Sequence, residues 1–184
     1  IQNSILKPED YDNLKNEIKI SLNNDNHIFN SGLISYENLQ ETNSDRYEYI
    51  LPYYNYSSIL KYNPFDGEIN FSSSGKNILN NTNQLKSNVI NDIVYNSKDF
   101  ISLSGIKSSF AINTKNLNSL GKNNAEYKSS PQIELMNELK LDVSYPLLKQ
   151  TESNINYLTP RAMMKINPSD MKDYSSMDIT TNVN

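Results

Sequence analysis

Between Pro131 and Pro168 the chain alternates. From Ile133 to Tyr145 one set of positions reads Ile133, Leu135, Asn137, Leu139, Leu141, Val143 and Tyr145. The interleaved set reads Glu134, Met136, Glu138, Lys140, Asp142 and Ser144. Successive side chains of a strand point to opposite faces, so this pattern predicts a strand with one apolar and one charged face. At about 3.3 Å per residue it would extend roughly 43 Å, whereas ordinary globular strands run about 5–6 residues. Tilted by about 45°, such a strand covers about 30 Å along a bilayer normal, the thickness of the hydrocarbon core. Asn137 alone breaks the apolar row.

The same period recurs along the chain. In residues 17–22, Ile18, Ile20 and Leu22 share a face. Residues 23–26 are a turn, since Asn and Asp tolerate left-handed backbone. Residues 27–36 alternate again, with Ile28, Gly32, Ile34 and Tyr36 in one row, and the two segments make a hairpin. After a polar connection at 37–44, residues 45–60 form a second long stretch. Tyr47, Tyr49, Leu51 and Tyr53 would lie on one face, with Ile50, Tyr54 and Tyr56 on the other. Pro52 removes a ladder donor and marks a bulge, a bend or an edge. Residues 63–67 are a turn; Phe65, Ile69 and Phe71 line a shorter strand reaching Ser74, and 75–83 read as a polar loop.

In residues 84–98, Val89, Ile93 and Tyr95 share a face that Asn91 interrupts. Residues 99–107 hold Phe100, Ile101, Leu103 and Ile106, and read as a loop dipping toward a bilayer edge. Residues 108–117 alternate through Phe110 and Ile112, and 118–130 form a long polar loop. Residues 145–148 close the long strand and 151–156 turn. Residues 157–167 then return, with Leu158, Ala162, Met164 and Ile166 on the apolar face. Residues 1–14 and 168–184 are polar. Short turns (23–26, 63–67, 151–156) thus alternate with long ones (37–44, 75–83, 118–130), an asymmetry that transmembrane barrels show. A helical reading of 11–20 through Leu14 and Ile18 competes with the strand but is short. There is no fixed-period repeat, which argues against a solenoid.

Composition alone points elsewhere. With 36% hydrophobic residues and a mean hydropathy of -0.66, a soluble chain is the default. A barrel wall also averages hydrophilic, because alternate side chains face water, so the average does not exclude one. No run of about 18 apolar residues exists to form a transmembrane helix. The first residues lack a basic n-region and an apolar h-region, so if the protein is exported its signal lies upstream and the chain is a fragment. Lys plus Arg is 17 against 21 Asp plus Glu, which excludes a broadly basic nucleic-acid surface. The lack of Cys excludes a disulfide framework and Cys-based metal sites. Tyr is frequent, 13 against no Trp, and suits a membrane interface or a half-buried strand.

Candidate chemistry is sparse. His27 sits beside the turn residues Asp25 and Asn26 and reads as a loop histidine. Asp170 with Asp173, and Glu134 with Glu138, are the closest carboxylate pairs, but paired carboxylates need a shared pocket. Ser108-Ser109 and Ser72-Ser73-Ser74 lack a nucleophile elbow and a base. Gly75-Lys76 and Gly121-Lys122 lack phosphate-loop spacing. No enzyme activity, cofactor or metal is expected.

Three short segments carry a resemblance. They are Asp45-Arg46-Tyr47-Glu48-Tyr49-Ile50-Leu51-Pro52, then Ser144-Tyr145-Pro146-Leu147-Leu148-Lys149, then Tyr157-Leu158-Thr159-Pro160-Arg161 followed by Met163 to Pro168 and a polar loop from Ser169 to Ser175. In this order the chain resembles the lipopolysaccharide-assembly outer-membrane family (LptD, OstA). Arg46, Tyr47, Pro52, Pro146, Thr159, Pro160, Arg161 and Pro168 match its motifs. The resemblance implies an all-β fold, an antiparallel meander of long strands that is a section of a large transmembrane β-barrel. Residues 1–184 would be part of that single domain, without its periplasmic domain, closing strands and lateral gate. It further implies insertion of lipopolysaccharide into the outer leaflet of a Gram-negative outer membrane. The implied partners are lipopolysaccharide, a plug lipoprotein in the lumen, a periplasmic bridge protein and membrane lipid, with no nucleic acid. In such a barrel Glu134, Glu138, Lys140 and Asp142 would line the polar lumen. The alternatives are a porin or receptor barrel, which the strand pattern alone does not separate from this family, and a soluble β-sandwich or adhesin, which would show short strands at 8–12-residue spacing.

Overall fold

The computed structural model describes residues 13–42, 46–60 and 66–169. The readings that fall on Asp45, Phe65, Asp170, Asp173 and both termini lie outside these residues. The described chain is all-β and antiparallel. Its strands are β1 (Asn13–Asn24), β2 (His27–Asn38), β3 (Tyr47–Leu60), β4 (Glu68–Asn80), β5 (Gln84–Asn96), β6 (Phe100–Ile101), β7 (Lys107–Lys122), β8 (Gln132–Ser144), β9 (Leu147–Gln150), β10 (Ile155–Leu158) and β11 (Arg161–Ile166). The sheet order is β1-β2-β3-β4-β5-β7-β8-β11, with β6 beside β7, while β9 and β10 pair only with each other. Among the described residues no ladder joins β1 to β11, so the meander is open at both edges. Seven strands of the sheet, β1 to β5, β7 and β8, exceed ten residues, and β7 reaches 16.

The register sorts side chains by charge. Paired residues share a face, so the pairings can be followed from strand to strand. One face carries Lys15, Glu17 and Lys19 of β1, Asp92 of β5, Lys115 of β7, Glu134, Glu138, Lys140 and Asp142 of β8, and Arg161 and Lys165 of β11. In the whole ladder only Glu37 and Lys122 among Asp, Glu, Lys and Arg lie on the other face, and each is within a residue of its strand's end. That other face carries Leu14, Ile18, Ile20 and Leu22 of β1, Ile93 and Tyr95 of β5, Phe110 and Ile112 of β7, the Ile133–Val143 row of β8, and Ala162, Met164 and Ile166 of β11.

Pro52 sits in a bulge. Between Ile50 and Tyr53, β3 has one residue more than either neighbour, and the Leu51-Pro52 peptide there is cis. The extra residue reverses parity. Tyr49 therefore shares the apolar face with Tyr54 and Tyr56, while Tyr53 joins Glu48 and Ile50 on the charged face. The uninterrupted alternation expected for this stretch is corrected accordingly.

Other boundaries also differ from expectation. Residues 75–80 complete β4 and 118–122 complete β7, leaving connections of only 81–83 and 123–131. The Gly, Ser and Asn that suggested loops are ladder residues. The short–long asymmetry is absent, because the end carrying the 25–26 turn also carries the 97–106 and 145–160 connections. The returning strand is split at Thr159-Pro160 into β10 and β11, so Leu158 leaves the row of Ala162, Met164 and Ile166. In the first hairpin the tight turn pairs Leu22 with Phe29 rather than Ile28. The Ile28–Tyr36 row therefore faces the charged side.

Glycines sit where tyrosine rings cross the sheet. Tyr53 lies over Gly32 on β2 and gives its hydroxyl to Glu17 on β1 at 2.7 Å. Tyr54 lies over Gly75 and Tyr95 over Gly67, whereas Gly121 is met by the Cβ and backbone of Tyr127. An aromatic ring over a strand glycine fills the missing side-chain volume. A Cβ at Gly32 would meet the Tyr53 ring at 2.9 Å and the Ile18 carbonyl at 2.3 Å. Gly32→Val should therefore cost about 1–3 kcal/mol by overpacking, read as a lowered denaturant midpoint. Adding Tyr53→Ala should restore only part of it, because the backbone clash persists.

Candidate functional site

The charged face is the covered one over β5, β7 and β8. Asn88, Asn113, Lys115, Ser119 and Glu138 are buried there, beside Leu117 and Met136. On the apolar face Ile18 is 70% and Ile133 73% exposed. This inverts the usual distribution of a soluble sheet. Hollows of about 620 and 1080 Å³ open mainly on the charged side, each lined from several successive strands. A sheet that curls toward its charged face accounts for both the burial and the hollows.

Ion pairs of both signs run along this face. Lys115 Nζ lies 3.7 Å from Asp92 across β5–β7. Glu138 accepts from Asn113 at 3.3 Å and lies 3.6 Å from Lys165 on β11. Asp142 receives two 2.9 Å bonds from Arg161 Nε and a further one from its terminal nitrogen, a forked carboxylate–guanidinium pair. Lys107 and Asp99 pair at 2.8 Å. Lys140 stands with these last two pairs around a hollow of about 390 Å³. Such a surface is of mixed sign.

The structure thus brings Glu134, Glu138, Lys140 and Asp142 onto one face of one strand. It divides the motif residues. Arg46 and Tyr47 lie at the end of the sheet bearing the 39–46 connection, with Arg46 3.3 Å from Glu37 and its guanidinium 4.7 Å from the Tyr47 ring centre. Pro52 is in the bulge. Pro146 and Thr159-Pro160 flank the β9–β10 hairpin at the other end, where Tyr145 N–H donates to the Pro160 carbonyl at 3.0 Å. Arg161 opens β11, and Pro168 follows it. His27 Nδ1 is 2.9 Å from the Tyr56 hydroxyl, and among the described residues no three His, Cys, Asp or Glu gather as metal ligands.

The sequence marks a loop over 118–130 but not that the 123–131 connection folds back on the charged face. Tyr127 is 4% exposed there and accepts from Asn88 at 3.2 Å; Gly121 N–H donates to the Lys128 carbonyl, and Glu126 pairs with Lys86 at 2.9 Å. Its only sequence signal was Gly121, which reads equally well as a turn. No protein-family model and no curated protein matches this sequence.

Outside the strands, the Lys98 ammonium hydrogen-bonded to Asp66 holds that carboxyl below its ordinary value. A lowered folded-state value stabilises above the unfolded one and is lost as pH falls through the folded one. Lys98→Met should return the Asp66 carboxyl to the ordinary range in an NMR titration. The stability difference between variant and parent should vanish at acid pH, where both carboxyls are protonated.

Proposed function

We propose that this chain is a section of the wall of an outer-membrane β-barrel. The carrying observation is the inverted sheet, with long strands whose charged face is covered over β5, β7 and β8 and whose apolar face carries exposed Ile and Leu side chains. Backbone groups in lipid must be paired internally, which strands achieve only in a closed sheet, with the remaining strands supplied by chain beyond β1 and β11.

The exposure of the apolar side chains supports the same reading: Ile18 and Ile20 on β1, Ile93 on β5, Ile112 on β7, and Ile133 and Leu135 on β8 all stand exposed on that face. A β-sandwich would need a second sheet on the apolar face. Among the described residues the only other sheet is the β9–β10 hairpin.

Within this class, the order of the Arg46-Tyr47-Pro52, Pro146 and Thr159-Pro160-Arg161 motifs favours lipopolysaccharide insertion. The plug lipoprotein and periplasmic bridge would be partners of the whole barrel. A porin or receptor wall would share the faces. Photo-crosslinkers placed at Lys140 and at Lys165 in cells should capture lipopolysaccharide. Capture of none, with the barrel folded, moves the assignment to a porin or receptor.

Neighbouring positions on β5 test the wall itself. Ile93→Arg should cost about 2–4 kcal/mol in bilayers, as charge on a lipid face does. Val94→Arg, one residue on and facing the charged side, should stay within about 1 kcal/mol. The reverse order in lipid-reconstituted unfolding would overturn the reading.

A further inference from the structure

The inference drawn here rests on the barrel reading. We propose that residues 100–106 and the β9–β10 hairpin form a lipid-seated foot at one rim. They would lie in the headgroup–acyl boundary of a phospholipid bilayer, just beyond the strands that cross it.

The first observation is a built projection of apolar side chains. Leu103 is wholly exposed, and Ile101, Tyr157 and Leu158 are mostly exposed. The loop carrying Leu103 has a defined fold. Ser102 N–H donates to the Ile106 carbonyl and Gly105 N–H to the Ser102 carbonyl, both at 2.9 Å, and the Ser102 hydroxyl accepts from Ile106 N–H at 3.1 Å. Gly105 takes a left-handed φ of 84°, which closes the turn and leaves Leu103 at its tip.

The second observation is continuity with the apolar face. The Tyr95, Phe110 and Phe100 rings form a chain, at 5.5 Å and then 6.4 Å, from β5 through β7 to the loop. Tyr145 lies against Gly105, and an apolar groove of about 300 Å³ joins Ile106 to Val143 and Ala162. The outward surface of the strands therefore runs onto the 100–106 connection and meets the base of the hairpin at Tyr145 and Pro160.

Charge selects the occupant. Residues 100–106 hold no charged side chain, and the pair at their base, Asp99 and Lys107, satisfies itself at 2.8 Å. The hairpin places Lys149 and Glu152 near its tip and Tyr157 and Leu158 near its base. Apolar side chains flanked by tyrosines and a few charges match the water–lipid boundary.

The chain has no Trp, so single-Trp variants give clean reporters. The full protein would be reconstituted in phosphatidylcholine vesicles brominated either near the headgroups or deep in the acyl chains. Leu103→Trp and Tyr157→Trp should be quenched roughly twofold or more by the shallow bromines, less by the deep ones, and weakly by aqueous iodide. Ile93→Trp should favour the deep bromines, and Asp25→Trp should respond to iodide alone. If Leu103→Trp and Tyr157→Trp behave like Asp25→Trp while Ile93→Trp is quenched by lipid, the foot is wrong and the barrel stands. Shielding from both iodide and lipid would mean that protein covers these residues, and also overturns the proposal. Loss of lipid quenching at Ile93→Trp would remove the barrel reading and the foot together.

Discussion

The parity of the backbone register is the constraint on which the sheet depends. Side chains alternate with a period of two, so a slip of one residue would move every charge of a strand to the other face. In this ladder parity is held from β1 to β11, and the charges stay together across the full width. The bulge at Leu51-Pro52 belongs to the same device. If the same residues alternated regularly without the bulge, Glu48 would stand on the face of Tyr54 and Tyr56. A ladder interruption that looks like a defect thus keeps one carboxylate away from the hydrophobic side.

Packing follows from that sorting. A soluble domain is held by apolar side chains taken from water, yet among the described residues only Leu117 and Met136 form a buried hydrophobic cluster, with Ile90 against it. The charged face is stabilised instead by cross-strand pairs such as Asp142–Arg161 and by the Tyr127 loop laid over Gly121. The apolar face has amides in its row as well. Ser73, Asn91 and Asn116 hydrogen-bond in succession across three strands, at 2.7 and 3.2 Å, and Thr114 donates to Asn137 at 2.9 Å. Each amide is satisfied by a neighbour on the same face, which is how polar side chains are tolerated away from water.

Much of the fold was legible because alternation is a local property. The β8 pattern, the tall strands, the disturbance at Pro52 and the interruption at Asn91 all follow from residues adjacent in the chain. The common face of Glu134, Glu138, Lys140 and Asp142 was legible for the same reason. The rest depended on register between strands. Asn118 and Gly75 carry turn chemistry, but Asn118 pairs with Ile133 and Val89 in the ladder and its amide bonds to Asn116 on the same strand, while a Tyr54 ring overlies Gly75. The Arg161–Asp142 fork joins residues 19 apart and required knowing that Pro160 ends one strand and Arg161 opens another. The fold of 123–131 onto the charged face had no signal beyond a glycine.

The most direct measurement is the polarised infrared dichroism of the amide I band for the protein in aligned bilayers. Strands tilted by roughly 45° from the bilayer normal would agree with the wall of a transmembrane barrel. Strands lying parallel to the bilayer plane, or a protein that stays in solution with its sheet formed and no lipid bound, would contradict it.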